Sequence, residues 1–165
     1  MGTAVDKFMD QQGFLDEQRP RRRWHFRALL FQPSIVGPLM VVAIILQSRT
    51  LFFALAAVLV WNVVFPRLNP FERFYDWAIG SRQGQPKLEP APVPRRFAQG
   101  MAAAFMIATG LCLTFSWQLA ADVFEVFLVV AFSALLFGKF CLGAYVFHIL
   151  RGRWGFANST CPWSS

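Results

Sequence analysis

Apolar and polar stretches alternate along this chain on a long scale. Four apolar runs cover about residues 28–47, 50–66, 97–119 and 123–150. A bilayer core about 30 Å thick needs around 20 apolar residues at 1.5 Å each. The first and third runs meet that need. The second is short, because Leu51 to Phe65 would span only about 22 Å. It is expected to sit in thinned bilayer or to borrow its flanks. The fourth is too long for one upright span and must tilt, project into water, or bend near Gly138 and Gly143. Gln47-Ser48-Arg49-Thr50 forms a tight turn between the first two runs, and Gln118 to Asp122 is expected to do the same for the last two. The predicted fold is an all-α integral membrane protein. Its four transmembrane helices form two antiparallel hairpins around a central loop, residues 67–96.

The polar stretches carry their own pattern. In the tail 1–27, Val5, Phe8, Met9 and Leu15 share one side of a short amphipathic helix that Thr3 could cap. It is expected as a surface or frayed segment rather than a docked one. Arg21 to Phe31 reads as an interfacial anchor, with cations facing lipid phosphates and Trp24 at headgroup level. His25 is expected there as a further interfacial polar group. Pro33 and Pro38 each remove a helix hydrogen bond, so a kink or a half-buried start is expected in the first span. In the central loop, Asn69-Pro70 can start a helix. Phe71, Phe74, Tyr75 and Ala78 then fall on one face, with Glu72, Arg73 and Asp76 on another. A short helix lying flat on the cytoplasmic surface is predicted, ended by Gly80. Residues 85–94, with four prolines, should form an extended strap.

Composition supports this reading and charge orients it. Of 165 residues, 56% are hydrophobic and 15% charged, yet the net charge is +7. Such a chain is neither disordered nor suited to a soluble domain. Three dispersed cysteines make no disulfide scaffold. Fourteen of the 16 Lys and Arg residues fall in the N-terminal tail, the central loop and the tail 151–165. An excess of cations marks the cytoplasmic side, so both termini and the loop are expected there. The basic character is thus a matter of topology, and no nucleic-acid partner is expected. No apolar core of a cleavable signal peptide is visible in the first twenty residues, and Arg22-Arg23 lacks the cleavage site of a twin-arginine signal.

The run NPFERFYDW (69–77), Gly84-Gln85-Pro86 and PAPVPRRFAQG (90–100) resemble a family of small bacterial membrane proteins, domain of unknown function 4395. The resemblance covers roughly residues 28–150. It implies a four-span protein of the bacterial inner membrane, with a Pro-Phe…Tyr loop and a Pro-rich strap ending in Arg-Arg-Phe-Ala. A Phe-Cys pair, here Phe140-Cys141, often occurs in the family's last helix. Some relatives carry a second cysteine soon after, where this chain has Ala144, so a CxxC pair is absent. The resemblance implies location and fold but no reaction.

Candidate chemistry is sparse. Arg95 and Arg96, with Arg22, Arg23 and Trp24, are the candidate lipid- or partner-binding residues. The two loop arginines could equally snorkel and fix the loop. Cys141, Tyr145 and His148 share a helix face at spacings of four and three. A structural zinc wants four ligands and a bis-histidine haem two facing histidines, so neither metal nor haem is expected, and His148 is the one candidate cofactor ligand. Lys139 lies in the fourth run and is expected to snorkel. Small residues in the third run, Gly100 to Gly110, invite close helix contact. Nucleophile elbows, metalloprotease motifs and phosphate loops are absent. No catalytic residue, metal or cofactor is assigned. The expected function is non-catalytic, that of an accessory or assembly subunit of a photosynthetic or respiratory membrane complex. Its partners would be membrane lipids and other integral subunits. A redox- or sulfur-linked protein using Cys141 with His148 is the alternative, and a minor transporter a further one.

Overall fold

The computed structural model describes residues 4–15, 19–80, 88 and 90–161. Among these, every regular element is helical. In chain order they are α1 (Ala4–Gln12), α2 (Arg19–Ile45), α3 (Arg49–Val64), α4 (Pro70–Tyr75), α5 (Val93–Thr114), α6 (Gln118–Leu136), α7 (Leu142–Leu150) and α8 (Trp154–Ser159). A 3-10 turn, Pro66–Leu68, precedes α4, and a π turn, Asp76–Gly80, extends it to Gly80 as expected.

Three helices are long and apolar enough to cross a membrane: Arg22–Ile45, Val93–Thr114 and Gln118–Leu136. The 16-residue α3 reaches that standard only together with Pro66–Gly80, from which it is bent by 118°. The four long helices stand at the corners of a bundle, α3 along α5 and α2 against α6. Val36, Met40, Phe52, Leu59, Met106 and Leu128 fill its centre. Close approach along α3 and α5 depends on small residues, as the sequence suggested. A Cβ at Gly110 would lie 2.9 Å from the Phe53 ring.

Helix ends are closed by one recurring device. At Gly13, Gln47, Ser116 and Gly152 the backbone turns to positive φ, and the next amide reaches back to the carbonyl five residues earlier. Two carbonyls of each last turn are satisfied this way, which a membrane or a packed interior requires. The device places the second hairpin turn at residues 115–117, three residues earlier than the predicted 118–122, and α6 starts at Gln118. Gln47, in the other turn, donates to both carboxylate oxygens of Glu125 (3.2 and 3.3 Å) and accepts from Gln118 (2.9 Å), which ties the two turns together.

Several expectations change. The fourth run bends near Gly138, one of the three outcomes foreseen, and becomes two helices. Lys139 takes φ 49° there, and the Phe140 amide returns to the Ala134 carbonyl at 3.1 Å. The helix α2 continues through Pro33 and Pro38. The third long apolar run begins as helix at Val93 rather than 97, with Pro92 at its N-cap position and Pro94 in its first turn. Four of the ten residues of the predicted strap (85–87 and 89) and the Thr3 cap lie outside the described residues.

The N-terminal helix docks, against expectation. Phe8 and Met9 are buried against Leu29, Cys141 and Ala144, although Leu15 points outward. Arg22 secures it, pairing with Asp6 (3.6 Å) and Asp10 and donating to the Phe14 carbonyl (2.7 Å). Trp24 is not at the surface either. It is buried against Tyr75, with ring centroids 5.0 Å apart.

One core position is poorly matched to its surroundings. Asn62 of α3 is fully buried, and among the described residues neither its amide oxygen nor its nitrogen has a hydrogen-bond partner. Replacing both polar atoms by a similar apolar shape removes an uncompensated desolvation cost. Asn62→Leu should therefore stabilise the protein by about 1 kcal/mol, read as a higher Tm in detergent.

Candidate functional site

The site grows from the short helix α4. Asn69 caps it by accepting from the Phe71 amide at 3.0 Å, and Pro70 fixes its first turn. This start sets the rotation of the helix. Glu72 and Tyr75 turn inward while Phe74 turns outward, so the predicted division of faces is corrected. The reason is a charge partner far along the chain. Arg95, in the first turn of α5, reaches Glu72 Oε1 at 3.5 Å, and both side chains are about nine-tenths buried. Burial raises the Glu72 carboxyl above the ordinary 4.5, while Arg95 and a hydrogen bond from Asn69 oppose the rise.

Beyond Arg95 lies a cavity of about 110 Å³. Residues of α1, α2, α3, α5, α6 and α7 line it. Its lining is both polar and apolar. Gln12, Gln32, Arg95, Gln99 and Cys141 line it together with Leu29, Phe105, Leu128 and Phe132. Gln99 donates to Gln32 Oε1 at 2.9 Å, a buried bond between α5 and α2. Arg95 Nε and Gln99 Oε1, on residues of this lining, have no hydrogen-bond partner among the described residues.

Beside the apolar contacts of Phe8 and Met9, Gln11 carries two hydrogen bonds between α1 and the α7 segment. Gln11 accepts the Cys141 amide on its side-chain oxygen (2.9 Å). Its main-chain carbonyl accepts from His148 Nε2 (3.0 Å), which fixes the tautomer. Cys141 and His148 stand two helical turns apart, about 10 Å along the axis, and meet different groups of Gln11. The structure thus gives the thiol an arginine-bearing cavity rather than the histidine as its neighbour.

The sequence profile of the family described as a domain of unknown function, DUF4395, matches residues 26–151. The chain belongs to DUF4395. The match includes α3 to α7, with the Arg95–Glu72 pair, Gln99 and Cys141, but it leaves out α1 and its Gln11 and Gln12. No curated protein and no solved structure matches the chain.

The remaining candidates of this DUF4395 chain scatter. Arg96 donates from Nε to the Val63 carbonyl (3.0 Å) at the end of α3, which satisfies an otherwise unpaired group. Arg22 is used by α1, Trp24 is buried, and Arg23 is exposed. Tyr145 donates to Asn158 Oδ1 of α8 (3.0 Å). Lys139 lies in the α6–α7 break with its Nζ 5.7 Å from the Phe26 ring centroid. Among the described residues no group of three His, Cys, Asp or Glu side chains is placed to hold a metal ion. Sequence reasoning missed Glu72, Gln11, Gln32 and Gln99. Their only local signal is a polar residue inside or beside an apolar stretch, which does not reveal a partner more than twenty residues away.

Proposed function

We propose that this DUF4395 chain is a small multi-pass protein of the bacterial inner membrane, with both termini and the central loop cytoplasmic. It acts without catalysis as an accessory or assembly subunit of a larger membrane complex, of the photosynthetic or respiratory kind. The observation that carries this reading is the outer surface of α6. That helix meets the rest of the chain along one stripe, Ala121, Glu125, Leu128 and Phe132. Its span is only 17% buried, against 39% for α2. Val123, Val126, Phe127, Val129 and Val130 are exposed. An apolar surface of that extent favours lipid or a neighbouring subunit's helix over water. The position of the cations on the tails and loop supports the orientation.

Polar groups in the interior are engaged in holding helices together. Arg22 holds α1, Arg96 holds α3, and Gln99 ties α5 to α2. Gentle solubilisation of native membranes, followed by affinity purification of the tagged full chain, tests the proposal. Stoichiometric co-purification of other integral subunits is expected. Recovery of the chain alone from several mild detergents and from native nanodiscs would overturn it.

A further inference from the structure

We propose that the cavity beside Arg95 binds a small carboxylate, with its anionic end on the guanidinium and a short apolar body against Phe105, Leu128 and Phe132. This inference is independent of membership in a larger complex. The cavity holds about 110 Å³. That is somewhat below the roughly 150 Å³ apolar cavity that accommodates benzene, so a guest of a few carbon atoms fits. An empty pocket of purely apolar lining would select a neutral guest. This one contains a cation that is 94% buried, since Arg95 is 6% exposed.

Arg95 is incompletely satisfied where it stands. Glu72 approaches one Nη at 3.5 Å, which is ion-pair distance but too long for a strong hydrogen bond, and Nε has no partner among the described residues. A guanidinium offers five donors in a planar fork and takes a carboxylate side-on through two of them. Gln99 adds a second unsatisfied atom, Oε1, on the same wall. Rotating the Gln99 and Gln32 amides together by 180° keeps their mutual bond and presents an N–H to a guest in its place. An amine of equal size would meet Arg95 as a like charge.

Cys141 lines the same cavity and reports its occupancy. In full-length protein carrying Cys112→Ala and Cys161→Ser, reconstituted in nanodiscs, a small neutral thiol reagent should label Cys141 through the cavity. Butyrate at ten times its Kd should slow labelling about tenfold, and n-butylamine should not. Arg95→Gln should weaken butyrate about 10–100-fold, the worth of a charge-assisted hydrogen bond. Glu72→Gln, which removes the competing acid, should tighten it about threefold or more. Decanoate protecting more tightly than butyrate would identify the bilayer as the acid's source, and equal protection the aqueous phase. Three results would overturn the proposal: a thiol that the reagent does not reach, equal effects of acid and amine, or butyrate affinity unchanged by Arg95→Gln. If Arg95→Gln does not fold, unchanged affinity in Glu72→Gln overturns it instead.

Discussion

Glu72→Ala should destabilise the protein by about 3–5 kcal/mol, the usual cost of leaving one member of a buried ion pair behind. Arg95 is 7% exposed at its side chain and Glu72 11%, so water does little to screen the orphaned charge. The cost arises from the uncompensated guanidinium and not from the pair's own net strength, which desolvation largely offsets. The double variant Glu72→Leu/Arg95→Met should for that reason recover most of the loss. Unfolding of the purified chain in mixed micelles at pH 8 measures both. Equal destabilisation by the single and double variants would show that packing, and not charge, holds α4 to α5. The sign of the pH dependence follows from burial. The folded carboxyl binds its proton more tightly than the unfolded one, whose value is 4.5. This contribution to stability is present below 4.5 and is lost as pH rises through the raised folded value. Glu72→Gln, which keeps the neutral shape, should remove that slope.

The second large effect is expected at Gly143. There α7 crosses α5 so closely that a Cβ would lie 2.6 Å from Ala98 Cα and 2.7 Å from its Cβ. No rotamer change relieves a clash with backbone, so the helices must separate. Gly143→Ala should cost about 3 kcal/mol, at the upper end for overpacking, and Gly143→Val more. Because Ala98, Leu142 and Gly143 all line the cavity, separation should also expose Cys141. Faster thiol labelling together with a lower Tm is the expected pair of results. Ala98→Gly should rescue Gly143→Ala only in part, since the contact with Cα remains. A Gly143→Ala protein with unchanged Tm would contradict this packing of α7 on α5. At Gly155, by contrast, nothing lies within 4 Å of an added Cβ, so alanine there should be tolerated.

Local features were legible without the structure because their causes are local. The Asn69-Pro70 start of α4, the close packing of small residues in α5 and the bend near Gly138 each follow from a few neighbouring residues. The family, too, was legible in contiguous motifs of the loop and strap, and the profile match over 26–151 agrees. Helical rotation was harder to read. The pattern of α4 set Glu72 among the solvent-facing residues with Arg73 and Asp76, because a charged residue normally seeks water. Arg95 reversed that preference from 23 positions away along the chain. Likewise, Phe8 and Met9 announced an amphipathic α1, but only the surface offered by Leu29, Cys141 and Ala144 made docking favourable. Gln11 shows the limit best. As a glutamine in a polar tail it carries no signal, yet it joins the Cys141 amide and the His148 ring across more than 120 residues.

By itself, then, the sequence determined the helical class, the long apolar segments and the family. These depend on hydropathy summed over stretches of about 20 residues and on short-range backbone chemistry. Only the tertiary structure decided which polar residues face inward, that α1 closes the bundle, and that Arg95, Gln99 and Cys141 share one cavity. Those outcomes depend on pairings between distant segments, where the cost of burying a polar group is offset by a partner the local pattern does not contain.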